Sequence, residues 1–378
     1  MKVFVNAVSI KEGGSSVVLS RLLSAMCAVR PDIGWVVAAN PACIPAQSDQ
    51  PQIQWLTVPL GNSAVALLRW YELTLPSLLQ RHRADVLFSQ TNYLPRRRVD
   101  CPTLLLVQHA GHFSAVFDRL TTAHLHSPVQ KFLWQRKRRW VHRSVRCASL
   151  MTVQTEALAD AVSAFTGRIR DRIVVIPHGP GLVAHRTILR ASQPADIFAI
   201  GYVTKWGVQK DFDTLFRAAQ ILRAAGRRFK LVLTLDPASP GVSDTFAVAR
   251  GLGIADLIEN RGEVEGSAIE TVYETLDVLA FPSLCESFGF PTVEAMARGL
   301  PIVVSATKEN LEVARGAGLT FAPGDAAALA DRLQKLMDND GERADQAKLS
   351  LKMSRGYSWE RAALETIAAL ERAASRSP

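Results

Sequence analysis

Residues 286–294 read ESFGFPTVE, so two carboxylates, Glu286 and Glu294, stand on either side of a Phe-Gly-Phe-Pro core. Such a pair serves either as general acid and base or as acceptor-only groups that hold the hydroxyls of a ligand. Two lysines, Lys205 and Lys210 in GYVTKWGVQKDFDTL, lie between an apolar run and a helical pattern. A cation there can stabilise the negative charge that develops on a leaving group. His109 and His112 follow the apolar run LLLVQ, Asn92 and Tyr93 follow DVLFSQ, and Gly13 and Gly14 precede SSVVLSRLL. Glycines in a tight turn let backbone approach a ligand closely, and a lone histidine serves structure as readily as chemistry.

These residues need strands that end where they begin. Short runs rich in Val, Ile, Leu and Phe alternate with longer helical patterns, the text of repeated βαβ units around parallel sheets. The first set comprises KVFVNAV, GWVVAA, IQWLTV, DVLFSQ, TLLLVQ, LMTVQ and RIVVIP; the second comprises IFAIGYV, KLVLTL, LIENRG, DVLAFPS and LPIVVSA. A polar stretch near 181–196 separates the sets, and SWERAALETIAALERAAS at the end is one amphipathic helix. The predicted organisation is a first domain over 1–185, a second over 186–356, and a helix within 357–378. In doubly wound sheets ligands sit beyond the carboxyl ends of strands, which places the loop 283–289 at such a site. Pro291 suits the first turn of the helix that follows and Gly299 its end. The positive end of that helix favours a phosphate. Glu286 then lies on the loop and Glu294 one turn into the helix, and they need not face each other.

Composition bounds the classes. A chain of 378 residues with 48% hydrophobic and 21% charged residues has core for two globular domains. No apolar run reaches the ~18 residues that a membrane span needs, and the start lacks the pattern of a signal peptide, so a cytosolic location is expected. Five scattered cysteines without CxxC spacing argue against disulfides or a zinc site. Of the net charge of +9, much comes from QKFLWQRKRRWVHRSVR, residues 130–146, which hold seven basic residues and no acid. Three readings compete for that run: a solvated helix face, an anionic membrane surface or pyrophosphate lipid, and nucleic acid. Interleaved Phe132, Trp134 and Trp140 favour the membrane interface over nucleic acid.

The stretch PSLCESFGFPTVEAMARGLPIVVS, residues 282–305, closely resembles the signature of family 4 retaining glycosyltransferases of the GT-B fold. The resemblance implies two facing doubly wound, Rossmann-like domains, an N-terminal one for the acceptor and a C-terminal one for a nucleotide-diphosphate sugar donor, with the last helix returning to the first domain. It assigns Glu286 to the donor sugar, Ser287, Phe288, Gly289 and Phe290 to sugar and diphosphate, and Glu294 to the ribose. Gly13 and Gly14 fall where relatives approach the donor phosphates, and Gly262 and Val264 where main chain packs on the base. Lys210 matches the lysine of the family, but Tyr202 stands where an Arg usually falls, which leaves Lys205 as a substitute. His109 is the candidate near the reacting centre, with His112, Asn92 and Tyr93 on the acceptor side.

By the same resemblance the chemistry is sugar transfer to a hydroxyl with configuration kept, requiring neither cofactor nor metal. The acceptor is expected to be a glycan or lipid-linked sugar at the cytosolic membrane face, in bacterial polysaccharide or lipopolysaccharide synthesis. Other readings remain beside it: a nucleotide-sugar epimerase or phosphorylase of the same fold, a glycoside hydrolase using both glutamates, and a non-catalytic membrane-docking protein that kept the fold.

Overall fold

The computed structural model describes residues 1–45, 50–61, 63–182, 197–264, 266 and 268–376. The chain forms two compact units, one comprising Met1–Asp118, Leu125–Gly181 and Ser358–Pro378, the other Arg119–His124 and Leu182–Tyr357. The expected domain boundary at 185 and most of the expected linker lie outside the described residues.

The first unit holds β1 (Lys2–Ala7), α1 (Gly14–Val29), β2 (Gly34–Ala39), β3 (Ile53–Thr57), α2 (Ala64–Arg69), α3 (Leu75–His82), β4 (Val86–Ser89) and β5 (Thr103–Leu106). Then come α4 (Ala115–His124), whose last six residues group with the second unit, α5 (Pro128–Cys147), β6 (Leu150–Val153), α6 (Glu156–Thr166) and β7 (Ile173–Val175). The seven strands form one parallel sheet in the order β3-β2-β1-β4-β5-β6-β7. Its central strands are buried along their length, which is why they read as unbroken apolar runs. One turn of π-helix, Trp70–Thr74, joins α2 to α3 and buries Trp70 and Tyr71.

The second unit holds β8 (Phe198–Tyr202), α7 (Phe212–Ala224), β9 (Phe229–Leu233), α8 (Val242–Gly251), β10 (Ile258–Asn260), α9 (Ala268–Glu274), β11 (Val278–Phe281) and α10 (Phe290–Ala297). It continues with β12 (Ile302–Ser305), α11 (Lys308–Ala314), β13 (Leu319–Phe321), α12 (Ala326–Asp338) and α13 (Asp340–Ser354). Its parallel sheet runs β10-β9-β8-β11-β12-β13. The sequence patterns do not single out β13, whose three residues are too few to make a run.

Both sheets reverse their strand order beside the first strand, between β1 and β4 and between β8 and β11. At such a switch point the loops beyond the strand ends diverge and leave a crevice. The last helix, α14 (Trp359–Ala374), belongs to the first unit. It lays Ala362, Ala363, Ile367, Leu370 and Ala373 against α1 and the strands β4, β5 and β6. Trp359 fixes its start, stacked on His178 at 5.3 Å with its indole N–H donating to the Pro180 carbonyl at 2.7 Å. Among the described residues no helix is long and apolar enough to cross a membrane.

Candidate functional site

In the second unit the loop after β11 begins at Ser283, a fully buried residue whose carbonyl is held from two sides. Ser305 Oγ donates to it at 2.5 Å and Asn310 Nδ2 at 3.1 Å. From this fixed point the Ser283 hydroxyl donates to Glu286 Oε1 at 2.5 Å, and Lys210 Nζ approaches the same oxygen to 2.5 Å. Both charged side chains are 12% exposed. The loop that carries Lys210 is tied in by backbone, with Leu284 N donating to the Gln209 carbonyl at 2.8 Å. Thus the switch point between β8 and β11 assembles a cation, a carboxylate and a hydroxyl, each positioned by the strand end behind it.

Gly289 caps α10 with φ +77°, a left-handed conformation that glycine adopts without strain. Phe290 opens the helix, and Pro291 takes the next position, where its missing N–H leaves no bond unmade. The amides of this turn carry the positive end of the helix dipole. Glu294 lies on the buried side of α10, with Oε2 accepting from the Tyr273 hydroxyl at 2.8 Å. Ser287, Phe288, Gly289, Phe290 and Glu294 therefore sit on one loop-helix junction next to Glu286, as the sequence places them. Phe288 is buried and packs edge-on against Tyr357, which leaves its backbone as the part of it at the loop-helix junction.

Tyr202, standing where an Arg was expected, is a buried scaffold residue. Its hydroxyl donates to the Lys210 carbonyl at 2.8 Å and its ring packs on Phe212 and Phe281. Burial, with the charges of Glu286 and Asp211, drives its phenol well above its ordinary pKa. Lys205 is ion-paired with Glu263 of the loop 261–266. On that loop Gly262 takes φ +72° and Val264 is half-buried.

The first unit has a pocket of ≈ 220 Å³ at its own switch point, lined in part by Gln90, Asn92, Tyr93, His109, His112 and Lys137. Asn92 has φ +65° and turns its Oδ1 to accept from Gln108 N at 2.7 Å, which locks the loop after β4 to the loop after β5. Gly111 lets the next turn close, because a Cβ there would lie 2.6 Å from both His109 and Phe117. His109 is exposed, whereas His112 is buried, its ring stacked on Trp134 and its carbonyl accepting from Arg138 and His142. Burial, then the neighbouring His109 and Lys137, push His112 down to about 2, so its ring is neutral at any physiological pH. The described residues that line the pocket include one lysine and no carboxylate. Gly13 starts α1 beside this pocket, with Ser15 of the same turn among its lining.

Gln90 and Lys137 are among the pocket residues that the candidate list did not include. Gln90 is buried with both side-chain amide atoms lacking a hydrogen-bond partner, and its signal was the polar ending of DVLFSQ. Lys137 sits in the basic run, where six other cations hide it.

Two doubly wound parallel sheets, each with candidate ligand groups at its switch point, define the Rossmann-like α/β class of fold. Comparison with known proteins narrows this. Residues 194–339 match the family model described as Glycosyl transferases group 1. The chain is 27% identical over 302 residues to a D-inositol 3-phosphate glycosyltransferase of Actinosynnema mirum, covering 75% of this chain and 70% of that one. It is 28% identical over 254 residues to the protein of the same name from Paenarthrobacter aurescens, and 30% over 210 residues to that from Corynebacterium aurimucosum. Those matches span 62% and 50% of the two relatives.

Among solved structures, a sucrose-phosphate synthase from Thermosynechococcus elongatus superposes over 98% of both chains with a TM-score of 0.78 at 17% identity. WaaG, a glycosyltransferase involved in lipopolysaccharide biosynthesis, gives 0.72 at 14% over 98% of both chains. Anabaena HepE in complex with UDP and glucose gives 0.68 at 18% over 98% of this chain and all of the other. The fold is that of GT-B glycosyltransferases, and residues 194–339 are similar to the group 1 glycosyltransferases, in line with the resemblance of residues 282–305.

Proposed function

We propose that the protein transfers a sugar from a nucleotide-diphosphate sugar to a hydroxyl, keeping the anomeric configuration and using no metal or other cofactor. The observation that carries the donor half is the Lys210–Glu286–Ser283 cluster directly before the Gly289-capped start of α10. A departing diphosphate gathers negative charge, and Lys210 with the amides of that helix turn offsets it. Glu286 holds sugar hydroxyls and Glu294 the ribose. Each glutamate already has its own donor, a lysine and serine for one and a tyrosine for the other. That is the arrangement of two holding groups, and it gives less support to a hydrolase in which the pair would share proton transfer. No side-chain nucleophile is required if the departing phosphate itself takes the acceptor proton.

The acceptor half falls to the pocket of the first unit. With His112 neutral and Lys137 the one lysine among the described lining residues, it suits a hydroxyl-rich acceptor carrying an anionic group. The relatives' names, which specify inositol 3-phosphate, and the lipopolysaccharide role of WaaG both belong to that chemistry. The deciding experiment is a thermal-shift panel of UDP, GDP, ADP and dTDP with the wild type, Lys210→Ala and Glu294→Ala, followed by NMR of the product anomer with EDTA present. Stabilisation by one nucleotide that both variants lose is expected. No shift from any nucleotide would overturn the reading.

The same reading includes work at the inner face of the membrane. Helix α5 exposes Val129, Phe132 and Leu133 beside Lys131, Arg136 and Arg139. Arg143 donates to the Arg96 carbonyl and so brings the loop Arg96–Arg98 against the same helix. Aromatic and aliphatic groups among cations fit an anionic bilayer interface. Flotation with phosphatidylglycerol vesicles, lost in phosphatidylcholine and in Phe132→Ser/Leu133→Ser, is the expected result, and equal binding to both lipids would sink it.

A further inference from the structure

Helix α9 presents Glu270, Tyr273 and Glu274, a spacing of three and four that puts all three on one face. Each of them meets α10 or its end. The Tyr273 hydroxyl lies 2.8 Å from Glu294 Oε2 and 3.4 Å from the Pro291 carbonyl, so its single proton is committed to the carboxylate. Arg298, buried at the end of α10, sits 2.9 Å from Glu270 and 3.8 Å from Glu274, at ion-pair distance without hydrogen-bond alignment. Glu294 and Arg298 are themselves four residues apart, so one face of α10 carries an anion and a cation and one face of α9 answers both.

We propose that Tyr273 is the positioning residue for Glu294, and that it thereby sets discrimination between ribose and 2′-deoxyribose in the donor. This rests on the reading of Glu294 as the ribose-holding group. A glutamate carboxylate rotates almost freely about its last bond, because that torsion is broad and two-fold. A diol is gripped only when the carboxylate plane is set to accept from two hydroxyls at once. The Tyr273 hydroxyl, itself immobile in a fully buried ring, fixes that plane from one side. Burial and the adjoining Glu294 charge hold the phenol well above its usual pKa, so it stays a donor throughout the range in which the enzyme works.

The test uses the full chain and whichever of UDP, GDP and ADP binds best, with its 2′-deoxy counterpart. Wild type is expected to favour the ribonucleotide by about 10- to 100-fold, the range of a hydrogen bond to a charged group. Tyr273→Phe should bring that ratio to within about threefold of unity while leaving the affinity for the deoxynucleotide unchanged. A merely structural role would instead weaken both nucleotides together, and that result overturns the proposal. Should the single variant not fold, Tyr273→Phe with Glu294→Met removes both partners and leaves no buried carboxylate unpaired. The double variant is expected to match Glu294→Met alone, and a further loss in the double overturns the assignment. Discrimination absent from wild type refutes the role of Glu294 and this inference with it, whereas no nucleotide binding at all refutes the donor reading beneath both.

Discussion

Lys210 Nζ and Glu286 Oε1 stand 2.5 Å apart, and each side chain is 12% exposed. The cation that the proposed reading gives to phosphate and the carboxylate it gives to sugar are therefore each other's counter-charge. Donor binding on the proposed reading draws both toward new partners without leaving either charge uncompensated.

Removing one partner alone leaves the other charge largely desolvated, and the cost is the penalty of that orphan. Lys210→Ala is expected to destabilise the fold by about 2–4 kcal/mol, toward the low side of the range for a buried pair because some solvent reaches it. Lys210→Met with Glu286→Leu should recover most of that loss while remaining inactive. Urea unfolding of the two singles and the double measures the coupling, and strictly additive losses would show that the ion pair is not formed.

The legible part of this chain is the part carried by hydrophobic period and by turn residues. All seven strands of the first sheet announce themselves as apolar runs, and the Gly289–Pro291 junction of α10 follows from residue type alone. What sequence could not give is which polar side chains reach each other across the sheet. Tyr202 shows the limit. Its position after a strand glycine suggested a lost ligand contact, but the strand's alternation turns it into the core, where it supports Lys210 from behind. Tyr273 shows it again, since nothing in AIETVYETL marks its hydroxyl as a partner for a glutamate twenty-one residues later.

That position allows a direct trial. Tyr202→Arg puts a guanidinium into the space between Phe212 and Phe281, and burying an uncompensated charge there is expected to cost several kcal/mol, on the order of 3–5. Tyr202→Phe removes only the bond to the Lys210 carbonyl, at a cost of about 1 kcal/mol. Activity should follow the same order, with the phenylalanine variant close to wild type and the arginine variant poorly folded. An arginine variant more active than wild type would mean that this site does face the donor.

Acid should weaken the fold through its buried histidines. Burial lowers His112 to about 2 and His178 to about 3, against an ordinary value of 6.5. Below about 6.5 the unfolded chain takes up a proton on each ring that the folded chain refuses. Stability is thus fully present above pH 6.5 and falls as the pH drops through it, by about 2 kcal/mol per histidine at pH 5. His178→Phe keeps an aromatic ring against Trp359 and should flatten the acid limb of stability against pH by one proton. An unchanged slope in that variant would show that His178 is already charged in the native state.

The return of α14 to the first unit can be tested at its entrance. A Cβ on Gly179 would lie 2.5 Å from Trp359 Cδ1 and 2.7 Å from the Trp359 backbone nitrogen. A side chain can rotate away but that nitrogen cannot, because it begins the helix. Gly179→Ala is expected to cost about 2–3 kcal/mol by overpacking, and to lower the thermal midpoint of the first unit. Ending the chain at Tyr357 goes further. It uncovers the face of α1 and the strands that Ile367 and Leu370 cover, side chains that stabilise by about 1.5–3 kcal/mol each when buried. With the four buried alanines of α14 lost as well, the first unit should unfold cooperatively or aggregate. A truncated chain with an unchanged midpoint would show that α14 only rests on that unit and does not complete its core.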